Sequence, residues 1–342
     1  MRKRVTLQDV ANRAGVGVAT VDRVINGRAP VSEKTAKRVL EAANALNFHA
    51  RALMHQRVSG LGPELRLSFI LQKQSKRFYQ KLAEEIDLAA QAQNQARVRT
   101  DIRFVGSLSA DALIAEIRDL KASSDAIALV SIDHPSIAEE IETCQAQGIA
   151  VFALLSRLNT QIQCPYIGID GRKAGRTAGW AMARIAKGDG EIGILVGSHR
   201  YLGHEALEVG FRSYMREHQP QTVLRDSIVY LDDEAIAYEA ASELLRACPN
   251  LQGLYHCGGG VGGVLKALKE HTNAMAPAYI CHEVGPAARA GFLEGRIDLA
   301  LATPIEVLAR KAVAKMIEAR LSGSAAIGDA VLDFMPYTPE SI

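Results

Sequence analysis

Cysteine, tryptophan and net charge are all in short supply in this chain of 342 residues. Its five cysteines (Cys144, Cys164, Cys248, Cys257, Cys281) are scattered and odd in number. That argues against a disulfide framework, and none has the spacing of a metal site. Such usage suits a reducing cytoplasm. There is one tryptophan, aromatics make up 5% of residues and the net charge is +2. Bulk composition is that of an ordinary soluble protein. No run approaches the roughly 20 apolar residues of a membrane span. Met1-Arg2-Lys3-Arg4 is basic, but the apolar stretch of a secretory leader does not follow, so a cytoplasmic location is expected.

The near-zero charge conceals a split. Residues 1–60 hold 11 Lys and Arg against 4 acids, and the rest of the chain holds 29 against 34. A basic head on a mildly acidic body is the footprint of a nucleic-acid module joined to something that does not bind nucleic acid.

Within the head, Thr6 is placed to cap a helix with Asp9 as its capping-box partner, and Val5 and Val10 occupy the two positions of a hydrophobic staple. Leu7, Val10, Ala11 and Ala14 share one helical face. Gly15-Val16-Gly17 interrupts the pattern, and a second helix follows with Val21, Val24 and Ile25 inward and Ala19, Thr20, Asp22 and Arg23 outward. Ser32 starts a third helix that runs to about Leu46. Two short helices about a glycine turn form a helix-turn-helix, whose second helix lies in the DNA major groove. Lys34, Lys37 and Arg38 face outward as phosphate contacts or as solvated charges.

The motif Thr-Leu-x-Asp-Val-Ala-x-x-Ala-Gly-Val followed by Ala-Thr-Val-x-Arg-Val-x-Asn-Gly resembles the lactose-repressor (LacI/GalR) family of bacterial transcription regulators. The likeness is close over residues 5 to about 48 and looser beyond. It implies a DNA-binding repressor, a homodimer or a tetramer, acting on double-stranded operator DNA without a cofactor or metal. Arg23 is the expected bidentate guanine contact, with Val18 and Ala19 against bases, and Thr6, Thr20, Asn26 and Arg28 on phosphates. The family usually has Ser where this chain has Asp22, and Ser where it has Gly17. Asp22 is expected either to tune affinity or to accept from a base amino group such as cytosine N4. In the family, a hinge helix wedges a Leu into the minor groove. Here Arg57 stands at the wedge position, leaving Leu53 or Met54 as substitutes, or a plain linker with no wedge.

From Leu65, short apolar runs such as Leu67–Leu71, Ala126–Val130, Ala150–Leu154 and Ile192–Val196 alternate with amphipathic helical stretches. That alternation predicts parallel sheets with helices on both faces. The expected plan is an all-α head (1–48), a linker (49–65) and a two-lobed α/β body (66–342) built on two doubly wound sheets. The body resembles the periplasmic sugar-binding-protein fold, with a cleft at the strand ends that implies a small carbohydrate or polyol effector. Residues at those ends are Phe78, Tyr79, Asp133, Ser156, Arg157, His256, Cys257, His282 and Glu283. The Arg that relatives carry near His204–Phe211 best matches Leu207, so a polyol, an inositol-like ring or a modified sugar is as good an expectation as a plain hexose. Gly258–Gly263 mimics a dinucleotide fingerprint but does not lie in the first βα unit. Cys257 or Cys281 beside a His has no orienting third group, so catalysis is not expected. The alternative class is a sugar-binding protein or enzyme of this fold with a vestigial head.

Overall fold

The computed structural model describes residues 5–26, 31–50, 54, 63–188, 190–271, 276–322 and 327–342. The chain divides into two compact units, Met1–Leu67 with Asp87–Asp101, and Ser68–Ile86 with Ile102–Ile342.

The head is three helices: α1 (Leu7–Ala14), α2 (Val18–Asn26) and α3 (Glu33–Ala45). The capping box forms: Thr6 N–H donates to Asp9 Oδ2 at 2.8 Å, and Asp9 N–H donates to Thr6 Oγ1 at 3.3 Å. Gly15 ends α1 at φ +63°, a left-handed conformation that glycine adopts without a steric penalty. Arg38 is not a merely solvated charge. Its Nη2 donates to the carbonyls of Ala14 and Gly15 at 2.5 and 3.2 Å, capping the end of α1. Val10, Val21, Val24, Val39 and Phe48 form the head's core, and Met54 is fully buried with them. Met54 is therefore not presented as a wedge, and Leu53, Arg57 and Arg28 lie outside the described residues.

The body contains two sheets. The first has the order β12-β5-β4-β3-β1-β2, where β1 is Glu64–Gln72, β2 Arg97–Val105, β3 Ala126–Leu129, β4 Ala150–Leu154, β5 Tyr166–Ile169 and β12 Ala330–Leu332. The second has the order β13-β11-β10-β9-β6-β7, with β8 also pairing β6. Here β6 is Glu191–Val196, β7 Val223–Leu224, β8 Ile228–Val229, β9 Leu251–Cys257, β10 Ala278–Cys281, β11 Leu299–Ala302 and β13 Met335–Tyr337. The chain crosses between lobes after Ile169, after Ala302 and after Leu332, because the strands on either side of those points belong to different sheets or pack on them. Such crossovers leave the strand ends of the two lobes facing one cleft.

The second sheet is apolar on both faces, as a parallel sheet covered by helices must be. After α4 (Arg77–Gln91), α5 (Ala110–Lys121) and α6 (Pro135–Ala146) come helices α7 (Gly171–Ile185) and α8 (Leu202–His218), with which Ile194, Tyr255 and Ile280 pack. Leu195, Leu254 and Tyr279 pack on the other face with α9 (Glu234–Ala247) and α10 (Val261–Glu270). Helices α7 and α8 lie unusually close. A Cβ on Gly175 would stand 2.0 Å from Leu207 O, and one on Gly210 would stand 2.3 Å from Arg172 O. Gly171, Gly175 and Gly179 recur every four residues and line this contact, so glycine at position 171 has a packing reason.

Candidate functional site

In the head, Ala19 and Arg23 are four residues apart on the exposed side of α2, while Val21 and Val24 are buried beneath them. Asp22 accepts from Asn26 Nδ2 at 2.6 Å, so the unusual acid is engaged by its own helix. Thr6 is exposed, but its hydroxyl also donates to Asp9 at 2.7 Å as part of the capping box. Val18 and Thr20 are half-buried.

In the body, a cavity of about 140 Å³ lies between the strand ends of the two sheets. That is smaller than the ~300–1,000 Å³ of drug-sized sites and suits a single small ring. One end is hydrocarbon. Leu155, Tyr166, Ile169 and Leu207 gather there, supported by the close α7–α8 crossing. The side-chain hydroxyls of this end are already used. Tyr166 Oη donates to Ile169 O at 2.8 Å, and Ser156 Oγ accepts from Gly203 N–H at 3.2 Å.

The other end is polar and surrounds Gly258-Gly259. A Cβ on Gly259 would lie 3.3 Å from Glu283 Oε2, 3.6 Å from Asp232 Oδ1 and 3.7 Å from Lys76 Nζ. Three charged groups therefore converge on one point, which is available because the residue there is glycine. Lys76 Nζ is buried and has no hydrogen-bond partner among the described residues. Asp232 accepts from Gly259 N–H at 2.9 Å. Burial alone would raise its pKa, but neighbouring His204, then Lys76 and the Gly259 N–H, hold it below the usual value. Burial raises Glu283, and repulsion from Asp232 adds to that against the pull of Lys76. His204 Nδ1 accepts from Ser198 N–H at 3.2 Å, and burial lowers its pKa, leaving Nε2 as the ring's donor. His282 Nδ1 donates to Leu301 O at 2.9 Å, so Nε2 accepts from Tyr255 Oη at 2.8 Å. Burial lowers its pKa to about 4, so at neutral pH it is an uncharged wall with both nitrogens engaged.

The two lobes also touch around the cavity. Lys73 Nζ donates to Leu231 O and Asp232 O at 3.2 and 3.3 Å. Arg200 Nη1 donates to Leu108 O at 2.8 Å, and Asp133 N–H donates to Arg200 O at 2.7 Å. Leu231 and Asp232 both have φ of 53°, a conformation unusual for residues with side chains. The carbonyls of this strained pair are the ones that Lys73 holds.

Of the residues at the expected strand ends, the structure brings Phe78, Tyr79, Ser156, His282 and Glu283 to the cavity wall. It places four elsewhere. Asp133 accepts from Asn159 N–H and Nδ2 at 2.9 and 2.8 Å and organises a loop. Arg157 lies 4.4 Å over the Tyr166 ring and pairs with Asp329 at 2.8 Å, behind the wall. His256 is buried between two tyrosines. Tyr230 Oη donates to Cys257 O, so His256 Nε2 donates to Tyr230 and Nδ1 accepts from Tyr279, both at 2.7 Å. Cys257 faces the opposite side of the sheet, its thiol pushed up by burial. The His256–Cys257 neighbours thus form no nucleophile–base pair, and Cys281, pushed up to about 12 by burial, is no thiolate either. Sequence reasoning missed Lys76, Tyr201, His204, Asp232 and Thr303. Lys76 and Asp232 shortly follow the ends of β1 and β8, so the strand-end rule contained the signal for both. Among the described residues there is no cluster of metal-ligating side chains, and no helix is long and apolar enough to cross a membrane.

Residues 6–50 match the family described as bacterial regulatory proteins, lacI family, and residues 67–324 match the periplasmic binding protein domain. Among curated proteins, the regulator MalR of Streptomyces coelicolor is 28% identical over 208 residues, covering 60% of this chain and 57% of that protein. Catabolite control protein A of Streptococcus mutans is 25% identical over 197 residues, 56% of this chain and 55% of its own length. The alignments thus span a little more than half the length of these relatives. GalS of Salmonella typhimurium is 37% identical over 91 residues, 25% of each chain. MalR and GalS are named as HTH-type transcriptional regulators. Among solved structures, GanP, a glucose-galactose binding protein from Geobacillus stearothermophilus, superposes with a TM-score of 0.73 at 17% identity, over 82% of this chain and 99% of its own. A solute-binding protein of Burkholderia graminis in complex with D-arabinose also gives 0.73, at 19% identity over 82% and 96%. The two matches together cover nearly the whole chain: it belongs to the periplasmic-binding-protein domain family and carries at its N-terminus the helix-turn-helix of the lacI family of bacterial regulatory proteins.

Proposed function

We propose that this protein is a sequence-specific DNA-binding transcriptional regulator, a repressor acting as a cytoplasmic homodimer, controlled by a small carbohydrate or polyol held between its lobes. The observation that carries the reading is the joining of an exposed Ala19–Arg23 helix edge, in a basic head, to a body with a small cavity between two lobes. Two such heads related by a dimer axis would read the half-sites of a near-palindromic operator. Arg23 supplies the bidentate base contact, Val18 and Ala19 the apolar ones, and Thr20, Asn26, Thr6 and Arg28 the backbone. The effector acts by preferring one arrangement of the lobes, and it shifts DNA affinity only as far as that preference goes. A mobility-shift titration against DNA flanking the gene, with random duplex as competitor and with a sugar and polyol panel, tests this. A preference for one duplex that a small molecule alters supports it. Equal binding to all duplexes at moderate salt, whatever is added, removes it in favour of a binding protein with a vestigial head.

A further inference from the structure

The cavity is bipolar, and its two ends make different demands on an occupant. At the hydrocarbon end, Leu155, Ile169 and Leu207 offer only carbon, while Tyr166 and Ser156 spend their hydroxyls on the protein itself. A ligand hydroxyl lodged there would lose its water and gain no partner, which disfavours it by roughly tenfold or more. At the other end, the buried Lys76 ammonium has hydrogen bonds that the described residues do not fill. It converges with Asp232 and Glu283 on a single point beside Gly259. A carboxylate or phosphate there would meet Lys76 but also both acids. An ammonium would meet the acids but also Lys76. A hydroxyl is neutral and donates and accepts at once, so it satisfies both kinds of neighbour.

We propose that the ligand is a neutral deoxy sugar or partly methylated polyol of one ring, with its hydroxyls at Lys76 and Asp232 and its hydrocarbon edge against Leu207. The proposal rests on the reading of this cavity as the effector site and names the chemistry that the site selects. It turns on Leu207, which puts hydrocarbon rather than a polar group on that wall of the cavity. The charges agree: Lys76 lies between Asp232 and Glu283, and burial lowers the pKa of His204 and His282, so neither adds a positive charge at neutral pH.

The test is isothermal titration of the full-length protein with matched pairs differing at one hydroxyl: L-rhamnose and L-mannose, L-fucose and L-galactose, D-quinovose and D-glucose, and an O-methyl inositol beside its parent inositol. Glucuronate and glucosamine serve as charged controls. The expected result is that in at least one pair the deoxy or methylated member binds about tenfold or more tighter than its partner, with neither charged control binding comparably. Leu207→Gln, shown to be folded by its thermal transition, should narrow that gap, and Lys76→Met should abolish binding of both members. A hydroxylated parent that binds as tightly as its partner overturns the deoxy assignment and leaves the sugar reading standing. A charged control that outbinds the neutral sugars overturns the neutrality. Binding by no member of the panel overturns the sugar-effector reading itself, and this inference with it.

Discussion

Arg23 and His256 show how differently single residues act in this chain. Arg23 is an exposed charge with no packing duty. Replacing it should leave folding intact and cost about 1–3 kcal/mol of operator affinity, with relaxed specificity at one base pair. A titration of Arg23→Ala on sequence variants checks this, and equal weakening on all of them would assign Arg23 to phosphate instead. His256 has no exposure at all and is neutral, its pKa lowered by burial to about 3 from 6.5. His282, at about 4, and His204 are lowered for the same reason. Below about pH 6.5 the unfolded chain takes up protons on these rings and the folded chain does not. Unfolding therefore draws protons, and stability falls with pH, by up to about 1.4 kcal/mol per unit for each ring, until the pH nears the folded values. The urea midpoint should drop between pH 7 and pH 5, and the drop should be shallower in His256→Gln. A flat midpoint would contradict the buried neutral state.

At the scale of elements, the α7–α8 crossing is the sensitive joint, because its glycines let two backbones touch and Leu207 rides on it. Gly175→Ala places a methyl group against Leu207 O, a backbone atom that cannot swing aside. It should destabilise the body by about 1–3 kcal/mol and weaken ligand binding as well, because the cavity wall moves with the helix. Thermal unfolding and titration on the same sample read both effects. The turn of the helix-turn-helix behaves oppositely at Gly17. Its φ is not left-handed and a Cβ there meets nothing within 4 Å. Gly17→Ser should add a cap to α2 and stabilise the head by a few tenths of a kcal/mol, measured as a shift in the first unfolding transition.

Across the whole molecule, lobe closure depends on a few groups at the cleft edge. Lys73 grips the carbonyls of Leu231 and Asp232 from the opposite lobe, and Asp232 is also a cavity wall. Ligand and latch thus meet on one residue, so each should favour the other by the same factor. Lys73→Met combined with Arg200→Met should widen the molecule in small-angle scattering and weaken effector binding severalfold. An unchanged radius of gyration would show that packing, rather than these hydrogen bonds, holds the lobes together.

The three-helix head was legible residue by residue because its signals are local. Thr6 with Asp9, Gly15 at a helix end and the inward stripe of valines each act within one or two turns of chain. The body's alternation of strands and helices was legible for the same reason, down to the bounds of Ala150–Leu154. The strands β5, β7, β12 and β13 were not, since they are strand only through the neighbours with which they pair. The cavity was half legible. Strand ends can be named from sequence, but which side chain turns inward depends on the sheet's two faces, and so Glu283 lines the cavity while His256 lies in the core. The local chemistry of the chain determined what its elements are. Only the folding together of three distant stretches of chain decided that Lys76, Asp232 and Glu283 surround one point, because no local interaction couples them.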